Sequence, residues 1–212
     1  LFHLAMVRAG LVKAFFVLAA LGVQVLGYIP GPAWVGGKQG AASQRRLQSL
    51  ASLSMAVDPK KTIVVTGLGV MSGVGPTLNL FWDNLLAGKS SIARVTHFDP
   101  SEYNTQIASQ VPDFTPSDFF REKKSAKSQD RFTHLAVAAA RHCLDDAGLD
   151  MSKVDRARVG VMVGSAFGGM ATFEEQTLKL SAGGPRKVSP FTIPALLGNT
   201  ASGVIGIEIG AQ

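Results

Sequence analysis

Gly164-Ser-Ala-Phe-Gly-Gly-Met170, together with Gly183-Gly-Pro-Arg-Lys-Val-Ser-Pro-Phe191 further along the chain, decides the fold. The first stretch directly follows Arg158-Val-Gly-Val-Met-Val-Gly164, a short run rich in valine that predicts a buried strand. A strand that enters a glycine turn and then a helix places its loop at the carboxyl end of a sheet, where α/β proteins form ligand sites. Residues 165–169 are therefore the first candidate for a functional loop.

A second strand is predicted where the domain begins, near residue 61. Lys61-Thr-Ile-Val-Val-Thr-Gly-Leu-Gly-Val70 holds a β-branched run over 62–66, followed by Gly67 and Gly69. We interpret the two glycines as a tight turn after a buried strand. A third glycine at position 72 would suggest a dinucleotide fold, but Ser72 stands there.

Helices are predicted between and after the two strands. Apolar residues recur at helical spacing over 79–86, and again over 129–147 with Gly148 as the C-cap. A third apolar stretch, 193–209, is rich in small residues and predicts a long helix that packs closely against a neighbour. Strands alternating with helices indicate an α/β domain.

Several kinds of chemistry find no support in the sequence. The single cysteine, Cys143, lies on the apolar face of the 129–147 helix and is interpreted as a small hydrophobic residue. The four histidines have no metal-ligand spacing, so neither a metal nor another cofactor is expected. The chain has no Gly-x-Ser-x-Gly elbow and no P-loop, and Ser165 has no predicted base, so we interpret it as a turn residue.

The net charge of +6 belongs to the first part of the chain. Seven basic side chains and one acidic side chain lie in residues 1–61, whereas residues 62–212 carry fourteen of each. The high isoelectric point therefore does not indicate nucleic-acid binding by the folded domain.

Residues 1–60 are predicted to be a targeting leader that is largely disordered. Arg8 and Lys13 precede a thirteen-residue apolar run, 14–26, which as a helix would span about 20 Å and is short for a bilayer. This pattern favours a signal peptide over a membrane anchor, and the Gly, Ala and Ser bias of residues 36–56 is typical of a transit peptide. Such a combination predicts import into a plastid, with a mitochondrion as the alternative destination, while a flexible linker remains the plainer interpretation of 36–56.

These blocks, in their order and spacing, resemble the N-terminal half of a β-ketoacyl-acyl-carrier-protein synthase, and the resemblance covers nearly all of residues 61–212. It is closest to the type I/II elongating enzymes of fatty acid biosynthesis. The resemblance implies an α/β thiolase-like fold, of which this chain would be the N-terminal half of a five-layer α-β-α-β-α sandwich in a homodimer. Residues 61–212 would then be the N-terminal synthase domain, truncated before the catalytic cysteine.

The resemblance also implies an activity. Enzymes of this family transfer an acyl group from acyl carrier protein to a cysteine and condense it with decarboxylating malonyl-carrier protein. Their cysteine would lie roughly ten residues beyond Gln212, and two histidines further on, so no residue of this chain receives a catalytic role and the fragment itself is expected to be inactive. A ketosynthase domain of a polyketide synthase, or a non-catalytic partner similar to a chain-length factor, remains an alternative.

Binding roles follow from the resemblance at matching positions. The acyl pocket would include Phe167, Phe191 and Thr192, with Phe167 as a gate that limits chain length. The acidic carrier protein would dock on Lys124, Lys127, Arg186 and Lys187. Loop packing for Phe167, and a solvated loop for residues 121–127, are the plainer interpretations of the same residues.

Overall fold

The computed structural model describes residues 2–9, 14–20, 63–112 and 114–212. The strands of this part are β1 Phe2–Ala9, β2 Ala14–Ala20, β3 Ile63–Met71, β4 Ile92–Arg94, β5 Ile107–Ser109 and β6 Val159–Gly164. The α-helices there are α1 Leu78–Leu86, α2 Arg131–Asp146, α3 Met170–Gly183, α4 Thr192–Leu196 and α5 Thr200–Ile209. None of the helices described here is long and apolar enough to cross a membrane.

The main sheet has four strands in the order β3-β1-β2-β6. Strand β1 is antiparallel to both β2 and β3, and β2 is parallel to β6. The two strands expected of the domain, β3 and β6, thus do not pair with each other. Each of them is hydrogen-bonded to a strand from the first 20 residues.

Two strands of the described part lie within residues 1–60, the predicted targeting leader. Residues 2–9 and 14–20 form strands, and the beginning of the 14–26 apolar run is extended. A strand pair there satisfies backbone groups of β3 and β6 that would otherwise lack partners. Residues 21–62 lie outside the described part, and import into an organelle stays a prediction.

Strand β3 passes through Gly67 and Gly69 rather than turning there, so the predicted tight turn is wrong. The glycines allow α2 to lie directly on the strand: a Cβ at Gly69 would stand 2.0 Å from the Ala139 carbonyl oxygen. At Gly67 it would stand 2.6 Å from the carbonyl oxygen of Cys143. Close backbone approach, not a turn, is the physical reason for both glycines.

Helix α2 forms the centre of the core and confirms the predicted 129–147 helix to within two residues at each end. Its Cys143 is fully buried, as expected, and the thiol donates a hydrogen bond to the Gly67 carbonyl at 3.3 Å. Gly148 follows with a positive φ of 58°, and α1 and β6 match their predicted positions. The core side chains of α2 are Leu135, Ala136, Val137, Ala138, Ala139, Ala140, Cys143 and Leu144.

The predicted single helix over 193–209 is wrong, since α4 and α5 are separated at residues 197–199. Leu197 is extended, and the Leu196 carbonyl accepts a hydrogen bond from the Gly169 N–H at 2.9 Å. A carbonyl bonded to a distant loop does not continue the helical ladder, so the helix stops there. Helix α5 then packs against α2 and β6 and ends at Gly210, whose φ is 73°.

Candidate functional site

A cavity of about 470 Å³ lies between the segment before α2, the polar side of α3 and the segment leading into α4. It joins residues that the resemblance assigned to two different roles. Lys124 and Lys127, predicted to dock a carrier protein, line the same cavity as Phe191 and Thr192, predicted for the acyl pocket. The remaining lining residues are Ser128, Gln129, Thr172, Glu175, Gln176, Lys179, Ser189 and Ala195.

Three of the predicted site residues lie outside this lining. Arg186 and Lys187 are exposed on the short 3₁₀ turn Pro185–Lys187, which ends two residues before the cavity residue Ser189. Phe167 is 77% exposed in the loop between β6 and α3. The structure therefore brings four of the seven predicted residues together and leaves the other three outside the cavity lining.

The loop that carries Phe167 is fixed through its backbone. The Ser165 hydroxyl accepts a hydrogen bond from the Gly168 N–H at 2.9 Å, which supports its interpretation as a turn residue. Gly168 has a φ of 66°, and a Cβ there would stand 2.2 Å from the Leu196 carbonyl oxygen. Only glycine is compatible with both conditions, so the backbone holds Phe167 in place while its side chain faces solvent.

Two polar side chains that the sequence analysis missed support the cavity. Asp130 is 6% exposed, and its carboxylate accepts hydrogen bonds from the Thr172 N–H at 2.8 Å and the Thr172 hydroxyl at 2.7 Å. The same carboxylate caps α2 by accepting from the Phe132 N–H at 3.2 Å. Gln176 accepts from the Ser189 N–H at 2.8 Å and so ties α3 to the α4 segment. An N-cap pattern could have identified Asp130, whereas nothing local marks Gln176.

Replacing Asp130 with alanine is expected to lower the free energy of unfolding by about 2–4 kcal/mol. The change removes the α2 cap and leaves the N–H of the half-buried Thr172 without its acceptor. Asp155→Ala is the matched control, because Asp155 caps only an exposed 3₁₀ turn and should cost less than about 1 kcal/mol. Urea unfolding of both variants measures the difference, and equal losses would contradict a special role for Asp130.

The cavity has a basic edge. Lys124 and Lys127 are exposed and make no ion pair within the described ranges, whereas Lys179 pairs with Glu175 on the same helix. The Gln129 Oε1 atom is buried without a hydrogen-bond partner in the part of the chain described here. Unpaired lysines beside a polar cavity attract an acidic partner through the local potential, whatever the net charge of the domain.

A histidine whose pKa is shifted lies outside the lining of this cavity. Burial lowers the pKa of His142, partly offset by the nearby Asp145, but that ring packs edge-on against Phe119 and is not a lining residue. Within the described residues no three His, Cys, Asp or Glu side chains are grouped so that they could hold a metal ion.

Known proteins resemble this chain over the same region. The family described as "Beta-ketoacyl synthase, N-terminal domain" matches residues 60–212. The 3-oxoacyl-[acyl-carrier-protein] synthase 2 of Coxiella burnetii is 42% identical over 149 residues, which cover 70% of this chain and 36% of that protein. The protein of the same name from Synechocystis is 38% identical over 158 residues, covering 74% of this chain and 38% of the relative.

Solved structures agree on the fold. The ishigamide ketosynthase/chain length factor aligns with a TM-score of 0.64 and 30% identity, over 70% of this chain and 37% of the other. A β-ketoacyl synthase from Burkholderia phymatum aligns with a TM-score of 0.59 at 24% identity, which concerns the fold alone. These alignments confirm the expected α/β thiolase-like fold.

The chain spans between a third and two fifths of the length of the curated relatives it matches. Within that span the match extends from residue 60 to residue 212 and includes the cavity and the loop that carries Phe167. The chain therefore belongs to the β-ketoacyl synthase family, of which it carries the N-terminal domain.

Proposed function

We propose that this chain is the N-terminal portion of a 3-oxoacyl-[acyl-carrier-protein] synthase of fatty acid biosynthesis. The whole enzyme would condense an enzyme-bound acyl group with malonyl-carrier protein, releasing carbon dioxide. The observation that carries the proposal is the composition of the cavity lining. It contains Lys124 and Lys127, the predicted docking residues, as well as Phe191 and Thr192, which are predicted for the acyl pocket. Relatives named 3-oxoacyl-[acyl-carrier-protein] synthase 2, at 38–42% identity, support the same reaction class.

In this proposal the chain supplies binding and not chemistry. The lysines at the cavity edge receive the acidic carrier protein, with Arg186 and Lys187 extending the basic surface. Phe191 and Thr192 border the path of the acyl group, and Phe167 limits its length from the adjoining loop. The reacting cysteine and the histidines that stabilise the oxyanion would come from residues beyond Gln212, and the enzyme would work as a homodimer.

Reversing two charges at the cavity edge tests whether acyl carrier protein docks there. Lys124→Glu combined with Lys127→Glu, in the full-length protein, is expected to weaken binding of acyl carrier protein at least tenfold, or about 1.4 kcal/mol, at low salt. The matched control is Lys89→Glu combined with Lys153→Glu, which changes the net charge equally at exposed lysines away from the cavity. Isothermal titration of the carrier protein measures both, and unchanged affinity in the first variant would defeat the docking assignment.

A non-catalytic partner similar to a chain-length factor is the second candidate, because one structural neighbour at 30% identity is a ketosynthase/chain length factor. Reading the transcript onward from the codon for Gln212 distinguishes the condensing enzyme from the non-catalytic partner. A cysteine roughly ten residues on, with two distant histidines, supports the condensing enzyme. A different residue at that position supports the non-catalytic partner.

A further inference from the structure

A partly buried ion pair joins α2 to α5. The Arg141 guanidinium lies 2.9 Å from the Glu208 carboxylate, and these side chains are 28% and 6% exposed. A buried ion pair adds little stability compared with apolar residues of the same size, because removing both charges from water offsets their attraction. Stability alone therefore does not account for this pair.

Both members of the pair also bind the segment between residues 119 and 128. Glu208 accepts a hydrogen bond from the Arg121 N–H at 2.6 Å, through the same oxygen that faces Arg141. Arg141 donates through Nε to the Phe119 carbonyl at 3.0 Å. The ion pair thus fixes the backbone on both sides of Phe120, whose side chain is buried.

The far end of this segment has its own attachment. The His134 ring nitrogen Nε2 lies 2.8 Å from the Ala126 carbonyl oxygen, and the same ring packs edge-on against Phe120. Between the two attachments the chain carries Lys123 and Lys124, with Lys127 next to Ala126. We call residues 121–127 the basic segment.

We propose that Glu208 and Arg141 are positioning residues that hold the basic segment at the edge of the cavity. Lys124 and Lys127 would then lie on an ordered backbone before an acidic carrier protein binds. The inference rests on the proposed function, since it concerns the same docking event. A segment fixed before binding loses less conformational entropy when the partner arrives, which strengthens binding without any new contact. The two residues touch neither the cavity nor the partner, and they act only through the backbone of the segment.

Two variants test the proposal in the full-length protein. Glu208→Gln keeps the shape of the side chain but removes its charge, and the combined Arg141→Met and Glu208→Met replaces the pair by apolar side chains of similar length. Both are expected to raise the Kd for acyl carrier protein about fivefold and to speed hydrogen exchange of the amides in the basic segment. The control is the combined Asp150→Met and Lys153→Met, which removes an exposed ion pair outside the cavity and should leave both readouts unchanged.

The outcomes distinguish the inference from the proposed function. A pair with only a structural role would lower the melting temperature of the variants yet leave the carrier affinity of the folded protein unchanged, and that result would overturn the inference while the function stands. Wild-type protein that fails to bind acyl carrier protein at low salt would overturn the proposed function and the docking role together. The apolar double variant keeps the test decisive, because it retains packing even if Glu208→Gln folds poorly.

Discussion

Gly69→Ala is expected to destabilise the protein by about 3–5 kcal/mol, at the high end of single-residue effects. The added methyl group would have to occupy a position 2.0 Å from the Ala139 carbonyl oxygen and 2.6 Å from the Cys143 backbone nitrogen. Both are backbone atoms of α2, so no side chain can rotate away and the helix must move off the strand. Total stabilities of single domains are about 5–15 kcal/mol, so this one methyl group removes a large share.

The matched control is Gly206→Ala in α5, where an added Cβ meets nothing within 4 Å. That change should be neutral or raise stability by about 0.5–1 kcal/mol, because glycine is a poor residue inside a helix. Urea denaturation of both variants gives the free energies. Similar values for the two would contradict the assigned role of the strand–helix contact.

A protein that begins at residue 61 is expected to aggregate or remain partly unfolded. Strands β3 and β6 each lose their neighbour in the sheet, and backbone groups along β3 and β6 lose their hydrogen-bond partners. Exposed strand edges of this kind are templates for pairing with other chains. Size-exclusion chromatography and a thermal melt check the result, and a monomer that melts cooperatively would refute it.

A single substitution in β2 tests the loss of strand pairing without deleting the first sixty residues. Val17→Pro removes one backbone N–H from β2, the strand that has β1 on one side and β6 on the other. Proline is not tolerated in the middle of a sheet, so this variant of residues 1–212 should lose its cooperative melt as well. A stable Val17→Pro variant would mean that β2 contributes little to holding the sheet.

The sequence was most informative where the decisive interactions are local. Helix α2 and strand β6 were predicted because their patterns repeat within a few residues of chain. The predicted turn at Gly67 and Gly69 was wrong because the reason for these glycines is a helix about seventy residues away. The break between α4 and α5 was missed for the same reason, since a loop at Gly169 takes the carbonyl that would have continued the helix.

For the candidate site, too, some residues could be predicted from the sequence and others could not. Family resemblance supplied Lys124, Lys127, Phe191 and Thr192, and the structure places those four around one cavity. The family resemblance could not supply Gln176, whose hydrogen bond to Ser189 links α3 to the segment that follows it. Supporting contacts between distant parts of the chain leave no periodic trace in the sequence.

The order β3-β1-β2-β6 sets a constraint on maturation. If a processing peptidase removed residues 1–60 from the folded protein, it would withdraw the two middle strands of the sheet and leave the outer two facing a gap. Such a cut, whenever it happened, would have to be followed by another length of polypeptide entering the same two places. What fills those two places after the cut, and not only the position of the cut, would decide whether a usable protein emerges.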